Sequence, residues 1–271
     1  MSERKPDVLI VGAAGGIGRA TAKILCEKGF YVIAADINDR KLENLRQSGL
    51  EHLTTMELDI SDRKGVLEMV AGFRETGHSF RTLVITAGIH STHPVEYLTD
   101  DIIGRVLDVN LISHIKFVRD FLPLIEDGGS IVGVSSIAAC VGVPMSSLYS
   151  ASKWGLEGFY ESLHAEVTYR RIRVSVIHPG NVNTGFNETG NSYEPVGNIF
   201  IDGHYNDVVS RIDSRYGIDP RRVAGVIVRV ISMKSPRFCY VVGMNARKAN
   251  WAKKILGRDL ALKLMAKFFG F

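Results

Sequence analysis

Seven short apolar runs recur along the chain: DVLIVG (7–12), FYVIAAD (30–36), LTTMELD (53–59), TLVITAG (82–88), GSIVGVSS (129–136), IRVSVIHPG (172–180) and FCYVVG (238–243). They are nearly continuous in apolar character instead of alternating. Strands buried on both faces read this way, and such strands belong to a parallel sheet covered by helices on each side. Segments with apolar residues at helical spacing separate the runs. Residues 16–28 repeat Ile17, Ala20, Ile24 and Leu25; residues 101–122 carry Ile102, Ile103, Val106, Val109, Phe117 and Phe121; residues 147–169 carry Leu148, Leu156, Phe159, Leu163 and Val167. The β-α-β-α order predicts a doubly wound α/β fold with one parallel sheet of about seven strands. No linker or repeat divides it, so residues 1–248 are expected to form one Rossmann-type domain.

Two stretches break the rhythm. Residues 181–218 are rich in Asn and Gly and follow the carboxyl end of a strand, where open α/β sheets bind ligands. They are expected to form a substrate lid. Residues 249–271 place Trp251, Ile255, Leu262, Met265 and Phe269 at helical spacing among Lys253, Lys254, Arg258, Lys263 and Lys267. A basic amphipathic helix of this kind suits an anionic membrane surface, a partner subunit or its own domain.

Composition narrows the class. Hydrophobic residues make up 45 % of the 271 and charged residues 23 %, ordinary for a globular protein with a sizeable core. A net charge of +4 with no aromatic-interleaved basic patch gives no footprint for nucleic acid. The N-terminus lacks a signal peptide's apolar region, and no run has the length of a membrane span, so a cytoplasmic protein is expected. Cys26, Cys140 and Cys239 are scattered without metal-binding spacing, and free thiols with no metal site are expected.

Candidate chemistry begins at VGAAGGIGRA. Gly12, Gly16 and Gly18 lie where the first strand turns into the first helix. Glycines there let backbone approach a pyrophosphate, and the helix N-terminus supplies free N–H groups and a positive dipole end. Asp36 ends the second strand eighteen residues after Gly18, where a carboxylate would accept hydrogen bonds from ribose hydroxyls and repel a 2′-phosphate. NAD(H) is therefore expected over NADP(H), with Arg40 and Lys41 close enough to soften the preference. Tyr149 and Lys153, in YSASK, stand one helical turn apart. Such pairs also occur by accident, so the pentapeptide alone decides nothing.

Taken together, these motifs resemble the short-chain dehydrogenase/reductase family over about residues 7–185, and more loosely to 243. LDIS places Asp59 and Ile60 where the family contacts adenine. TAG, Thr86 to Gly88, is similar to the family's Asn-Asn-Ala-Gly turn. DVNL places Asn110 at the family's helix-four asparagine, and VGVSS places Ser136 thirteen residues before Tyr149. HPGNVNT is similar to the Pro-Gly-x-Val-x-Thr segment beside the nicotinamide. Three positions depart from the family: Val11 for a common Thr, Thr86 for Asn, and Ala139 for a frequent Gly.

The resemblance implies a catalytic set of Asn110, Ser136, Tyr149 and Lys153. It implies a cofactor set of Gly12, Gly16, Ile17, Gly18, Asp36, Ile37, Asp59, Ile60, Ala87, Gly88, Pro179, Gly180, Val182 and Thr184, together with Asn110, Tyr149 and Lys153. Tyr149 would exchange a proton with the substrate oxygen, its pKa lowered by Lys153 and the nicotinamide charge. Ser136 would bind that oxygen, and Asn110 would hold a water on a proton path while also capping or kinking its helix. Apolar candidates for the substrate lining are Phe186, Tyr193, Phe200 and Tyr205 of the lid, with Val141, Val143 and Met145. No Arg or Lys stands out for a substrate carboxylate. The expected activity is interconversion of a secondary alcohol and a ketone by hydride transfer, on a lipophilic substrate as in the hydroxysteroid- and retinol-handling branch. Alternatives are reduction of acyl or small polar carbonyls, NAD(H) sensing without catalysis, or a membrane scaffold built on the tail. A homodimer or homotetramer is implied by the family.

Overall fold

The computed structural model describes residues 7–186, 191–213 and 216–271. All seven apolar runs are strands of one parallel sheet: β1 (Val8–Val11), β2 (Val32–Asp36), β3 (Leu53–Glu57), β4 (Phe80–Ile85), β6 (Ile125–Val134), β7 (Arg173–Pro179) and β9 (Cys239–Val242). Their order across the sheet is β3-β2-β1-β4-β6-β7-β9. The order reverses between β1 and β4, which opens a crevice at the carboxyl ends of those strands. A second, two-stranded parallel sheet joins β5 (Ser91–Thr92) to β8 (Asn191–Ser192).

Helices cover both faces. They are α1 (Gly16–Glu27), α2 (Asp39–Arg46), α3 (Arg63–Glu75), α4 (Asp100–Leu107), α5 (Ser113–Phe121), α6 (Ser147–Glu166), α7 (Ile199–Arg211), α8 (Pro220–Ser232) and α9 (Met244–Phe269). Each face of the sheet has its own core. One gathers Leu9, Leu83, Phe117, Phe121, Leu156 and Tyr160; the other gathers Ile10, Leu25, Leu42, Val84, Ile177 and Ile227. Every residue of β1 is buried, as a continuous apolar run requires.

The helix predictions hold in position and differ in face. α1 buries Gly18, Thr21, Ala22, Leu25 and Cys26, so Ile17 and Ile24 lie at the rim of the buried stripe instead of its centre. The buried side of α6 carries Tyr149, Ser150, Ser152 and Lys153 at its start and Leu156, Tyr160 and Leu163 after them. The long segment 101–122 is interrupted. A π-helical turn spans Asp108–Ile112 between α4 and α5, with Asn110 at its middle.

The described residues of the segment expected to form a lid include a helix that their composition does not suggest. Asn181 and Asn183 pair with Ile218, closing its base, and α7 is capped by Asn198, whose side chain accepts from Ile201 N. Tyr193 and Tyr205 are buried, with ring centroids 5.1 Å apart, and Tyr97 lies 4.9 Å from Tyr193. α9 is kinked at Gly257 (φ 77°, ψ 167°), so the five apolar positions of the tail do not share one stripe. It folds back on its own domain: Lys253 Nζ sits 4.2 Å from the Trp154 ring centroid, and Phe271 stacks on His204 at 4.6 Å. Phe269 is buried while Trp251 and Ile255 stay exposed. The side chains of Lys254 and Arg258 lie outside the described residues. Among the described residues, no helix is long and apolar enough to cross a membrane.

Candidate active site

A cleft of about 880 Å³ runs along the carboxyl ends of the central strands. At one end lies the glycine turn. Gly12 takes φ +87°, and a Cβ there would stand 2.5 Å from Ala87 N; a Cβ on Gly18 would stand 2.2 Å from Gly12 O. Both glycines are required because backbone meets backbone. Gly16 is tight for another reason, since a Cβ there would reach 2.6 Å from Thr184 Cγ2 at the base of the lid. Thr86, where the family has Asn, donates from Oγ1 to Gly12 O at 2.8 Å and Val11 O at 3.2 Å. The substitution thus preserves a tie between the glycine turn and β4.

The N-terminus of α1 has no side-chain cap and no acidic residue in its first turn. Its amides and positive dipole end face the cleft uncompensated, as an anionic pyrophosphate requires. The Asp36 carboxylate accepts from Ala14 N and Asn38 N, both at 2.9 Å, which fixes it at the cleft wall beside Ile37 and Lys41. Asp59 is held by Ser61, accepting from its N at 2.8 Å and its Oγ at 2.6 Å. Ile17, Ile60, Ala87, Gly88, Pro179, Gly180, Val182 and Thr184 also line this cleft. The residues present fit an adenine dinucleotide laid from Asp36 across the glycine turn towards Pro179.

The other end holds Ser136, Tyr149 and Lys153. Tyr149 and Lys153 are both buried on α6. Ser136 caps a short 3₁₀ turn at Ile137–Ala139, with Oγ accepting from Ala138 N at 3.1 Å. Burial pushes the Tyr149 phenol up to about 12, and a hydrogen bond from Ser136 offsets part of that. Burial also brings the Lys153 ammonium down to about 8. Lys153 was expected to lower the phenol's pKa, yet its Nζ stands 5.7 Å from the Tyr149 ring centroid and desolvation prevails.

Asn110 is placed differently from the rest. It is wholly buried and does not reach the cleft wall. Its Oδ1 accepts from Ile89 N at 2.8 Å and its Nδ2 donates to Ile89 O at 2.9 Å, so it clamps the segment after β4 to the π turn. A Cβ on Gly88 would lie 3.1 Å from Asn110 Oδ1 and 3.4 Å from Lys153 Nζ, so both side chains end beside Gly88.

The lining near Tyr149 only partly follows the sequence reading. Phe186 and Val143 are there, whereas Tyr193, Tyr205, Phe200, Val141 and Met145 are not. Tyr193 and Tyr205 pack the lid, and Phe200 and Met145 line a separate shallow groove. Three cleft residues escaped the sequence argument. His90 has its ring 5.1 Å from Tyr149 and 5.9 Å from Phe186, and burial lowers its pKa to about 4, so it is neutral at pH 7. Ser146 Oγ is buried at the cleft and finds no partner among the described residues. Arg105 also lines the cleft, a cation that the sequence reading did not single out. The position of His90, two residues past TAG, was the available signal for it.

Fold, glycine turn and buried Tyr–Lys helix together define a nucleotide-dependent oxidoreductase. Residues 7–194 match the family model described as short chain dehydrogenase, and the chain belongs to that family. A 3-ketodihydrosphingosine reductase of Bacteroides thetaiotaomicron is 27% identical over 241 residues, covering 87% of each chain. Retinol dehydrogenase 16 of Mus musculus is 27% identical over 258 residues, covering 89% of this chain and 81% of the relative. Among solved structures, a 4-hydroxyisoleucine dehydrogenase complexed with NADH superposes with a TM-score of 0.69 at 26% identity, covering 87% of this chain and 96% of that one. The protein is thus a short-chain oxidoreductase with an NAD(P)-binding fold.

Proposed function

We propose that the enzyme interconverts a lipophilic secondary alcohol and its ketone, with NAD(H) as the preferred cofactor. The observation that carries this reading is the convergence of Ser136, Tyr149 and Lys153 at one end of a cleft whose other end holds the glycine turn and Asp36. Asp36 would hold the adenosine ribose, the α1 amides the pyrophosphate, and Lys153 the nicotinamide ribose. A bound nicotinamide supplies the hydride acceptor or donor.

The protein's own groups handle the proton and the charge. Tyr149 exchanges a proton with the substrate oxygen, and with its phenol pushed up to about 12 it is a loaded acid at neutral pH. Ser136 donates to the same oxygen and stabilises its developing negative charge. Lys153 places a cation behind the phenol whenever it is protonated. Asn110 acts by positioning: it holds Ile89, and it would hold a water on a proton path leading from Lys153.

Phe186 and Val143 beside Tyr149 favour an apolar substrate body. Two relatives are named for lipid substrates, a ketosphingoid base and retinol. A second reading, reduction of a small polar carbonyl, is favoured by the unpartnered Ser146 Oγ at the cleft. The exposed Trp251 and Ile255 of α9 support association of copies into a homodimer or homotetramer, or contact with a membrane surface.

Absorbance at 340 nm tests the substrate class. NAD⁺ and NADP⁺ are supplied separately with hydroxysteroids, retinol, long-chain alcohols, short secondary alcohols and sugars. NADH formation with a hydroxysteroid or another lipophilic alcohol is the expected result. Turnover only on small polar alcohols would overturn the lipophilic reading.

A further inference from the structure

Behind α6, away from the cleft that binds the dinucleotide in our reading, three parts of the chain bring unassigned reactive groups together. Cys140 follows the Ser136 turn, His178 lies in β7, and Cys239 lies in the edge strand β9. The Cys140 sulfur is 2.9 Å from His178 Nδ1, and the Cys239 sulfur is 3.6 Å from the same nitrogen. On the opposite side of the ring, His178 Nε2 is 2.6 Å from Glu157 Oε2. His178 is buried, while both cysteines are partly open to solvent. The sequence separates these thiols by almost one hundred residues, and only the pairing of β7 with β9 brings them to one histidine.

From this arrangement we infer that Cys140 is a nucleophilic thiol modified by hydroperoxides, with His178 as its acid–base partner, Glu157 orienting the imidazole, and Cys239 as the resolving thiol. A cysteine is reactive as its thiolate, and an adjacent imidazolium stabilises that form. Burial opposes charge on His178, but its hydrogen bonds to Cys140, Cys239 and Glu157 outweigh burial and raise its pKa to about 12. Cys26 offers a contrast within the same chain: it is buried, and burial pushes its thiol up to about 11.

The chemistry balances with the peroxide as oxidant. The Cys140 thiolate attacks one peroxide oxygen; an S–O bond forms and the O–O bond breaks. The leaving alkoxide or hydroxide takes the proton from His178. Sulfur becomes a sulfenic acid, and the peroxide is reduced to an alcohol or water. The Cys239 thiol then attacks the sulfenic sulfur, forming the disulfide and releasing water.

Oxidation would be felt at the cleft. Cys140 N donates to Ile137 O at 2.8 Å within the turn that Ser136 caps, and Cys140 O accepts from Lys253 of α9. Pulling Cys140 towards β9 would distort that turn. The expected loss of turnover rests on the reading of Ser136 above; the thiol chemistry does not.

The test treats the full-length reduced protein with hydrogen peroxide and dimedone and follows each cysteine by mass spectrometry. Cys140 is expected to gain the dimedone adduct roughly tenfold faster than Cys26. Without dimedone, a Cys140–Cys239 disulfide is expected, and Cys239→Ser should leave a longer-lived sulfenic acid. Glu157→Gln should slow labelling of Cys140 while the far-UV spectrum stays unchanged. Equal labelling of the three cysteines, or Cys140 labelling no faster than in urea-unfolded protein, would overturn the proposal. Unchanged labelling in Glu157→Gln would overturn the relay through His178, and adduct without disulfide would overturn the role of Cys239. If thiol labelling behaves as expected while oxidised enzyme keeps full turnover, the coupling to Ser136 is wrong and the site itself stands.

Discussion

Asn110 offers the sharpest test of how the site is held. In Asn110→Ala, the half-buried N–H and C=O of Ile89, a residue of the cleft wall, both lose their partner, since Asn110 Oδ1 and Nδ2 serve them at 2.8 and 2.9 Å. An orphaned polar group costs ~1–3 kcal/mol when fully buried, and because Ile89 is only half-buried the pair costs about 1–3 kcal/mol together. A water entering the vacated space would bring the loss towards the lower figure. Urea unfolding of the cofactor-free protein measures it as a fall in midpoint at constant slope. Asn110→Asp is the informative companion. It keeps an acceptor for Ile89 N, loses the donor to Ile89 O, and sets a carboxylate close to Lys153. It should raise the Lys153 pKa and shift the pH profile of turnover, which Asn110→Ala would not do. If Asn110→Ala costs under ~1 kcal/mol with unchanged kcat, the clamp is not what holds this segment, and the π turn needs another cause.

Three further outcomes follow from the same geometry. Asp36→Ala should weaken NADH binding and narrow its advantage over NADPH by roughly tenfold or more, checked by fluorescence titration with both cofactors. Lys153→Met should abolish turnover yet stabilise the cofactor-free fold by about 1–3 kcal/mol at pH 7, because a buried cation is replaced by an apolar chain. The sign follows from linkage. Lys153 titrates at about 8 when folded and at 10.5 in the reference state, so the unfolded chain binds more protons between those values. The penalty on the wild type is full below about pH 8 and is relieved as pH rises towards 10.5, so the two unfolding curves should converge at alkaline pH. Gly18→Ala should destabilise by more than ~3 kcal/mol, because its Cβ would meet fixed backbone at 2.2 Å, while Gly15→Ala, whose Cβ would meet only Gly12 O at 3.4 Å, should fold and melt nearly as wild type.

The sheet was readable because a strand buried on both faces is apolar throughout, as in β1, although β3 (Leu53–Glu57) and the edge strand β9 are only partly buried. The glycine turn, Asp36, Ser136, Tyr149 and Lys153 were readable because their spacing is local or nearly so. Other features depend on distant pairing. α7 lay inside an Asn- and Gly-rich stretch whose helix is fixed by a cap at Asn198 and packing of Tyr205, neither of which has a strong period. His90 and Ser146 reach the cleft through loops, and loops carry no periodicity. The aromatic residues of the lid were misplaced because hydrophobicity marks burial without saying against what: Tyr193 found Tyr205 and Tyr97 instead of the cleft. Burial also reversed the electrostatic expectation for Tyr149, a quantity set by solvent exclusion and invisible in a pentapeptide.

Tyr149, as the group that moves the proton, is the centre of the proposed mechanism. The direct measurement compares wild type with Tyr149→Phe, using NADH binding by fluorescence and turnover at 340 nm on the best alcohol or ketone found. Nearly unchanged NADH affinity and a loss of turnover of at least ~10²-fold, the usual contribution of a positioned acid or base, are expected. Substantial turnover by the phenylalanine variant would contradict that role and move the proton transfer to another group at the cleft.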